Sequence, residues 1–197
     1  MSRNQRVRVV VLTGTPGTGK TTISHLIAQI LCVKLFSLSD LAVEAGAVTG
    51  EDIERDTLIV DGAVLKRFLN RFLSNMSGLV VFEGHYGELV PKRFVDCCIV
   101  LRARPSVLEK RLTERGYSGR KLLENLQAEV LGTCTFNAVE AYGRGLVYEL
   151  DTSSDSVQVT VGNALRIISE KPSVFLAGWV NWFNELSEEE FRKYFNY

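Results

Sequence analysis

Most marks of a specialised protein class are missing from this sequence. It has four cysteines in 197 residues. Cys32, Cys97, Cys98 and Cys134 form no CxxC pair and have no histidine neighbours, so neither a zinc ligand set nor a redox motif is indicated. They read as small buried hydrophobes of a reducing compartment. Excess charge is absent too: 23 Lys and Arg balance 23 Asp and Glu, which excludes a global field drawing the chain to nucleic acid or to an anionic membrane. Long apolar runs are also lacking. Val174 to Val180, the longest, is seven residues, against the roughly 20 a membrane helix needs. After the basic start only Val9 to Leu12 is apolar before a Gly/Thr/Pro loop, so a signal peptide is not expected and a cytoplasmic protein is. There is no internal repeat and no low-complexity tract. With 46% apolar and 23% charged residues, what remains is an ordinary globular chain of single-domain length.

What is present is an alternation of strands and helices. Val7 to Thr13 (VRVVVLT), Leu79 to Phe82 (LVVF) and Cys97 to Leu101 (CCIVL) read as buried parallel strands, with Lys34 to Leu38 and Leu146 to Leu150 completing five. Between them lie helical stripes, one of Ile23, Leu26, Ile27, Ile30 and Leu31, another of Val64, Leu65, Phe68, Leu69 and Phe72. A further helix opens at Pro105, a long one runs from about Ser118 to Tyr142, and another from about Ser156 to Ser169. Strand and helix in alternation mean an α/β fold. Pro172 is the one boundary signal, separating 1–171 from an aromatic-rich tail, 172–197.

Gly14-Thr15-Pro16-Gly17-Thr18-Gly19-Lys20-Thr21 fits GxxxxGK[ST], and it stands between a strand and a helical stripe, as the motif requires. Glycines there let backbone N–H groups curl around phosphate oxygens at a helix N-terminus. Lys20 is then expected to bridge the β- and γ-phosphates, the Thr21 hydroxyl to join the shell of a Mg²⁺ ion carried with ATP, and Thr22 to touch the α-phosphate. Neither Asn-Lys-x-Asp nor DxxG is present, which argues against a GTPase, and the chain is too short for most motor ATPases. A compact kinase-like ATPase is left.

Glu83-Gly84-His85-Tyr86-Gly87 directly follows a strand. Glu83 is thereby placed to hold a Mg²⁺-bound water, and His85 points to the same side. A strand-end cap and a solvated loop histidine are the plainer readings of the two. His25, off the apolar stripe, is read as surface. Arg111 to Arg120 (RLTERGYSGR) is a basic helix end passing through glycine into another helix, the composition of a short lid. Arg115 is its best candidate for stabilising transferred phosphate, and Arg120 or Lys121 can equally be solvated.

TGTPGTGKTT at 13–22, SDLAVE at 39–44, EGHYG at 83–87 and ERGYSGRKLLENLQAEV at 114–130 together resemble the adenylate kinase 6 family, small P-loop ATPases and nucleoside monophosphate kinases of archaea and eukaryotic nuclei. The resemblance spans about Val7 to Ser169. It implies a parallel sheet of order 2-3-1-4-5, a monophosphate-binding flap at 37–60, a lid at about 114–124, and ATP contacts at Gly14, Gly17, Gly19, Lys20, Thr21, Thr22 and Arg115. Lys20, His85 and Arg115 become the expected catalytic set, ATP and AMP or another monophosphate the substrates. It also implies a platform protein of the small ribosomal subunit as partner, with ATP hydrolysis late in ribosomal RNA maturation.

The chain departs from the family pattern in having Glu83 where Asp is usual and Val43 where an arginine follows DLA. From Asp40 to Asp61 there are seven acids and one base, Arg55. The expectation is a weakly bound acceptor, with Arg93 or the lid arginines as the bases that would compensate. Two functions compete: an ATP:AMP phosphotransferase, and an ATPase switch acting in assembly. A shikimate- or cytidylate-type kinase is a third. Eight of 18 aromatics lie in the last 23 residues, and the tail is expected to pack back on the core rather than to serve a partner.

Overall fold

The structure, a computed structural model, describes residues 6–52 and 57–195. Strands are β1 (Arg8–Gly14), β2 (Lys34–Ser37), β3 (Val48–Asp52), β4 (Thr57–Val60), β5 (Leu79–Glu83), β6 (Val95–Arg102) and β7 (Val147–Asp151). Helices are α1 (Lys20–Leu31), α2 (Leu38–Glu44), α3 (Gly62–Ser74), α4 (Pro105–Glu114), α5 (Gly119–Val130), α6 (Thr133–Tyr142), α7 (Val157–Glu170) and α8 (Glu188–Phe195).

The continuous β-branched run in β1 buries both faces of the central strand. Val9 and Val11 face a core built with Leu65, Leu69 and Leu73 of α3 and Ala138 and Tyr142 of α6. Val10 and Leu12 face the opposite core, with Ile23 and Ile27 of α1 and Ala164 and Ile167 of α7. All five sheet strands are parallel, in the order β2-β5-β1-β6-β7. Numbered among themselves these strands run 2-3-1-4-5. The whole-chain numbers differ because the sequence reading did not anticipate β3 and β4, a separate antiparallel hairpin.

Two further expectations change. The long helix from Ser118 to Tyr142 is two helices, broken at Gly132. That residue takes a left-handed φ of +65° and lies against the Arg102 guanidinium, where a side chain would have to fit. The cysteines divide: Cys97 and Cys98 are buried on opposite faces of β6, and burial pushes the Cys97 thiol up to about 12. Cys134 is half-buried, and Cys32 is exposed at the end of α1.

Beyond Pro172 the chain runs along the open edge of β7, where Leu176 bridges Tyr148 and the Ala177 N–H donates to the Val147 carbonyl at 2.9 Å. It then crosses α5 and ends in α8, whose Tyr194 is buried against α4 and α5. Trp182 is likewise buried, whereas near the surface Phe191 and Phe195 stack and Phe183 meets both edge-on. Among the described residues no helix is long and apolar enough to cross a membrane.

Candidate active site

β1 ends at Gly14, whose φ of +139° suits glycine. A Cβ there would collide with the Leu101 carbonyl oxygen of β6, so glycine is what lets the loop leave the sheet so tightly. Gly19, at φ +97°, closes the loop onto the start of α1, bringing that helix's unpaired N–H groups and positive pole to the cleft. Lys20 is 8 % exposed. Its ammonium donates to the carbonyls of Gly14 at 2.7 Å and Thr15 at 3.1 Å, and burial lowers its pKa to about 8.

Sheet register sets the second component. Glu83 pairs with Leu12 on one side and Ser37 on the other, and the Gly84 N–H donates to the Leu12 carbonyl at 3.2 Å. The strand end therefore lies beside the phosphate loop. His85 follows it and is exposed where it lines the cleft. Crowding by the cleft walls and, second, the Lys20 charge lower its pKa to about 4, while a hydrogen bond to the Gly14 backbone acts the other way. At neutral pH it is an uncharged imidazole.

A cleft of about 200 Å³ is lined by Gly17, Gly19, Lys20, Thr21, Thr22, Glu83, His85 and Arg115. Gly14 lies beneath it as an acceptor for Lys20. These residues, from three separate stretches of sequence, are thus brought together. On one side a chamber of about 340 Å³ continues past Arg115, Arg111, Thr152, Asp155 and Val157. On the other, one of about 310 Å³ lies between α2, the β3–β4 hairpin and His85. A larger cavity of about 690 Å³ lies on the far side between α6 and the tail, away from the loop.

A sequence profile described as an AAA domain matches residues 10–132. A Methanocaldococcus jannaschii protein named "Putative adenylate kinase" is 31% identical over 188 residues, 95% of this chain and 96% of its own length. "Adenylate kinase isoenzyme 6 homolog FAP7" of Saccharomyces cerevisiae is 35% identical over 161 residues, 81% of this chain and 80% of its own. The chain belongs to the adenylate kinase 6 family of P-loop phosphotransferases. Its fold is shared with the shikimate kinase of Acinetobacter baumannii solved with shikimate (TM-score 0.58, 16% identity, 86% of this chain and 97% of that one). A gluconokinase of Sinorhizobium meliloti is similar in the same way (TM-score 0.54, 16% identity, 85% and 94%).

For this adenylate kinase 6 relative, the chamber beside the hairpin is distinctive. It is lined by Ser39, Ala42, Glu51, Thr57, Leu58, Val60, His85 and Tyr86, so among the described residues its one acid, Glu51, is matched by no lysine or arginine. Val43, next to Ala42 in α2, is exposed. Arg93 does not serve this chamber: it donates to Ser74 at 3.2 Å and lies over the Phe94 ring. Arg55 lies outside the described residues.

Sequence reading placed Arg111 and Tyr117 in the lid without giving either a role of its own, and missed Thr152. Arg111, one turn before Arg115 on the same helix face, donates to the Thr152 carbonyl at 2.6 Å and the Thr152 hydroxyl at 3.1 Å. The Thr152 hydroxyl in turn lies 3.1 Å from the Thr18 carbonyl. The i, i+4 spacing of the two arginines was a usable signal, as was the position of Thr152 just past the carboxyl end of β7, where open α/β sheets bind ligands. Tyr117 also lines the cleft, with Lys121 over its ring at 4.4 Å.

Proposed function

We propose that the protein transfers the terminal phosphoryl group of ATP to a nucleoside monophosphate such as AMP, binds that acceptor weakly, and hydrolyses ATP more readily than it phosphorylates AMP. The observation carrying this reading is the phosphate cleft itself, in which Lys20, His85 and Arg115 converge between two chambers. Two chambers joined at one phosphate site are what a two-substrate transfer needs.

In this reading the chamber past Thr152 takes the ATP base and ribose, and the loop N–H groups hold the phosphates. Lys20 moves from the loop carbonyls onto the β- and γ-oxygens. Arg115, in the lid at about 114–124, approaches the transferred group and offsets its developing charge. Thr21 and Glu83 supply oxygen ligands on one wall of the cleft, the donor type that suits Mg²⁺ directly or through water. When bound, that ion would neutralise charge on the β- and γ-phosphates. His85 stands where the acceptor chamber meets the phosphate cleft. As a neutral imidazole it can accept a hydrogen bond from an attacking water or orient an acceptor oxygen.

Weak acceptor binding follows from the flap at 37–60. A monophosphate carries nearly two negative charges, and the chamber wall offers it Glu51 and no cation among the described residues. The same fact favours the assembly-switch reading, in which hydrolysis is the useful step. We place such a role in late small-subunit ribosomal RNA maturation, with a platform ribosomal protein as partner, on the family resemblance. Incubation with MgATP, with and without AMP, tests the reading: phosphate release with slow AMP consumption supports it, and no turnover of ATP overturns it.

A further inference from the structure

Behind the phosphate loop lies an ion cluster that the proposed chemistry does not use. Arg102, Glu129 and Glu149 are 2 %, 1 % and 0 % exposed. The guanidinium donates to Glu129 Oε1 at 2.8 Å and to Glu149 Oε1 at 2.5 Å. One cation faces two carboxylates, so the cluster carries a net negative charge that burial makes costly unless other donors satisfy it. The C-terminal segment supplies several of them. Trp182 Nε1–H donates to Glu129 Oε1 at 3.0 Å, and the N–H groups of Gly178 and Val180 donate to Glu149 Oε2 at 2.7 and 3.4 Å.

The remaining oxygen of Glu129 leads to the loop. Oε2 accepts from the Thr15 hydroxyl at 2.6 Å, across 114 positions of sequence. Thr15 is the hub of the loop: its carbonyl accepts from Lys20 Nζ at 3.1 Å, the Thr18 N–H at 3.3 Å and the Thr18 hydroxyl at 2.8 Å. A continuous chain of bonds therefore joins Trp182 to Lys20 through Glu129 and Thr15.

We propose that the C-terminal segment sets the geometry of the phosphate loop, with Trp182 and Glu129 as positioning residues acting through Thr15. The inference rests on reading the loop as the nucleotide-phosphate site, and it places the segment after Pro172 within the binding machinery rather than beside it.

ADP alone is the probe, with its Kd measured by calorimetry on the full chain. Trp182→Phe keeps an aromatic ring and removes the indole donor to Glu129 Oε1, leaving those from Arg102 and the Ala103 N–H; Thr15→Val removes the other end of the link. Each should raise the Kd for ADP by about fivefold, and the double variant should be no more than about twofold weaker than the worse single one, because both cut the same connection. Tyr194→Phe, which loses only the bond to Glu109, should lower the melting temperature and leave the Kd within about twofold of wild type, separating positioning from general destabilisation.

Additive effects of the two substitutions, or a wild-type Kd in folded Trp182→Phe, would overturn the inference. Should Trp182→Phe fail to fold, a wild-type Kd in Thr15→Val would overturn it as well. ADP binding needs no phosphoryl transfer, so a wild-type protein that binds ADP but transfers nothing contradicts the proposed function alone.

Discussion

The chemistry assigned here falls on three side chains whose surroundings differ. Lys20 is buried and bonded to loop carbonyls, and Lys20→Ala should reduce ATP turnover by at least ~10²-fold through loss of charge at the terminal phosphates. Steady-state kinetics on a variant with wild-type circular dichroism checks this. His85→Ala should lower kcat more than it weakens ATP binding, since His85 lines the cleft from the end of β5 rather than from the phosphate loop. The free protein also has a defined pH signature. With His85 near 4 and Lys20 near 8, kcat/KM for MgATP should show no inflection at the ordinary histidine value. It should fall below about pH 4 as the imidazole protonates and above about pH 8 as the ammonium loses its proton. In the kcat profile the upper limb should move to higher pH, because bound phosphate favours the charged lysine.

At the scale of elements, β1, the phosphate loop and α1 were legible because their signal is local: a β-branched run, glycines at the tight positions and an apolar helical stripe follow one another without a break. Glu83 and His85 were legible because a strand end next to that loop has few other places to go. The β3–β4 hairpin was not, since acids and short runs hide its alternation. The break between α5 and α6 was missed because nothing near Gly132 in sequence announces the Arg102 guanidinium packed against it. The bond from Thr15 to Glu129 was invisible for the same reason, joining residues that only the finished fold brings together. The hairpin also carries a prediction. If Glu51 and the lack of cations weaken acceptor binding, Glu51→Gln should lower the KM for AMP about threefold. Val43→Arg, in α2 beside Ala42, should lower it by up to about tenfold, the worth of one charge-assisted hydrogen bond. Acceptor titrations at saturating MgATP measure both.

Across the whole molecule, the sheet holds the loop and strand end in register, α4 and α5 bring Arg111 and Arg115 to the cleft, and the C-terminal segment closes the structure behind it. Truncation after Lys171 would strip three donors from two buried carboxylates and uncover the α4–α5 surface under Tyr194. It should lower the melting temperature by about 10 °C, the scale expected for breaking a buried ionic network in a chain of this size. Thermal unfolding of the truncated and full chains measures it. The most direct test of the central claim is a single time course with MgATP and AMP, following inorganic phosphate, ADP and remaining AMP together. Phosphate should accumulate faster than AMP is consumed at low AMP, with AMP consumption rising only at high acceptor concentration. Rapid conversion of AMP at low micromolar concentration, with little phosphate released, would contradict it.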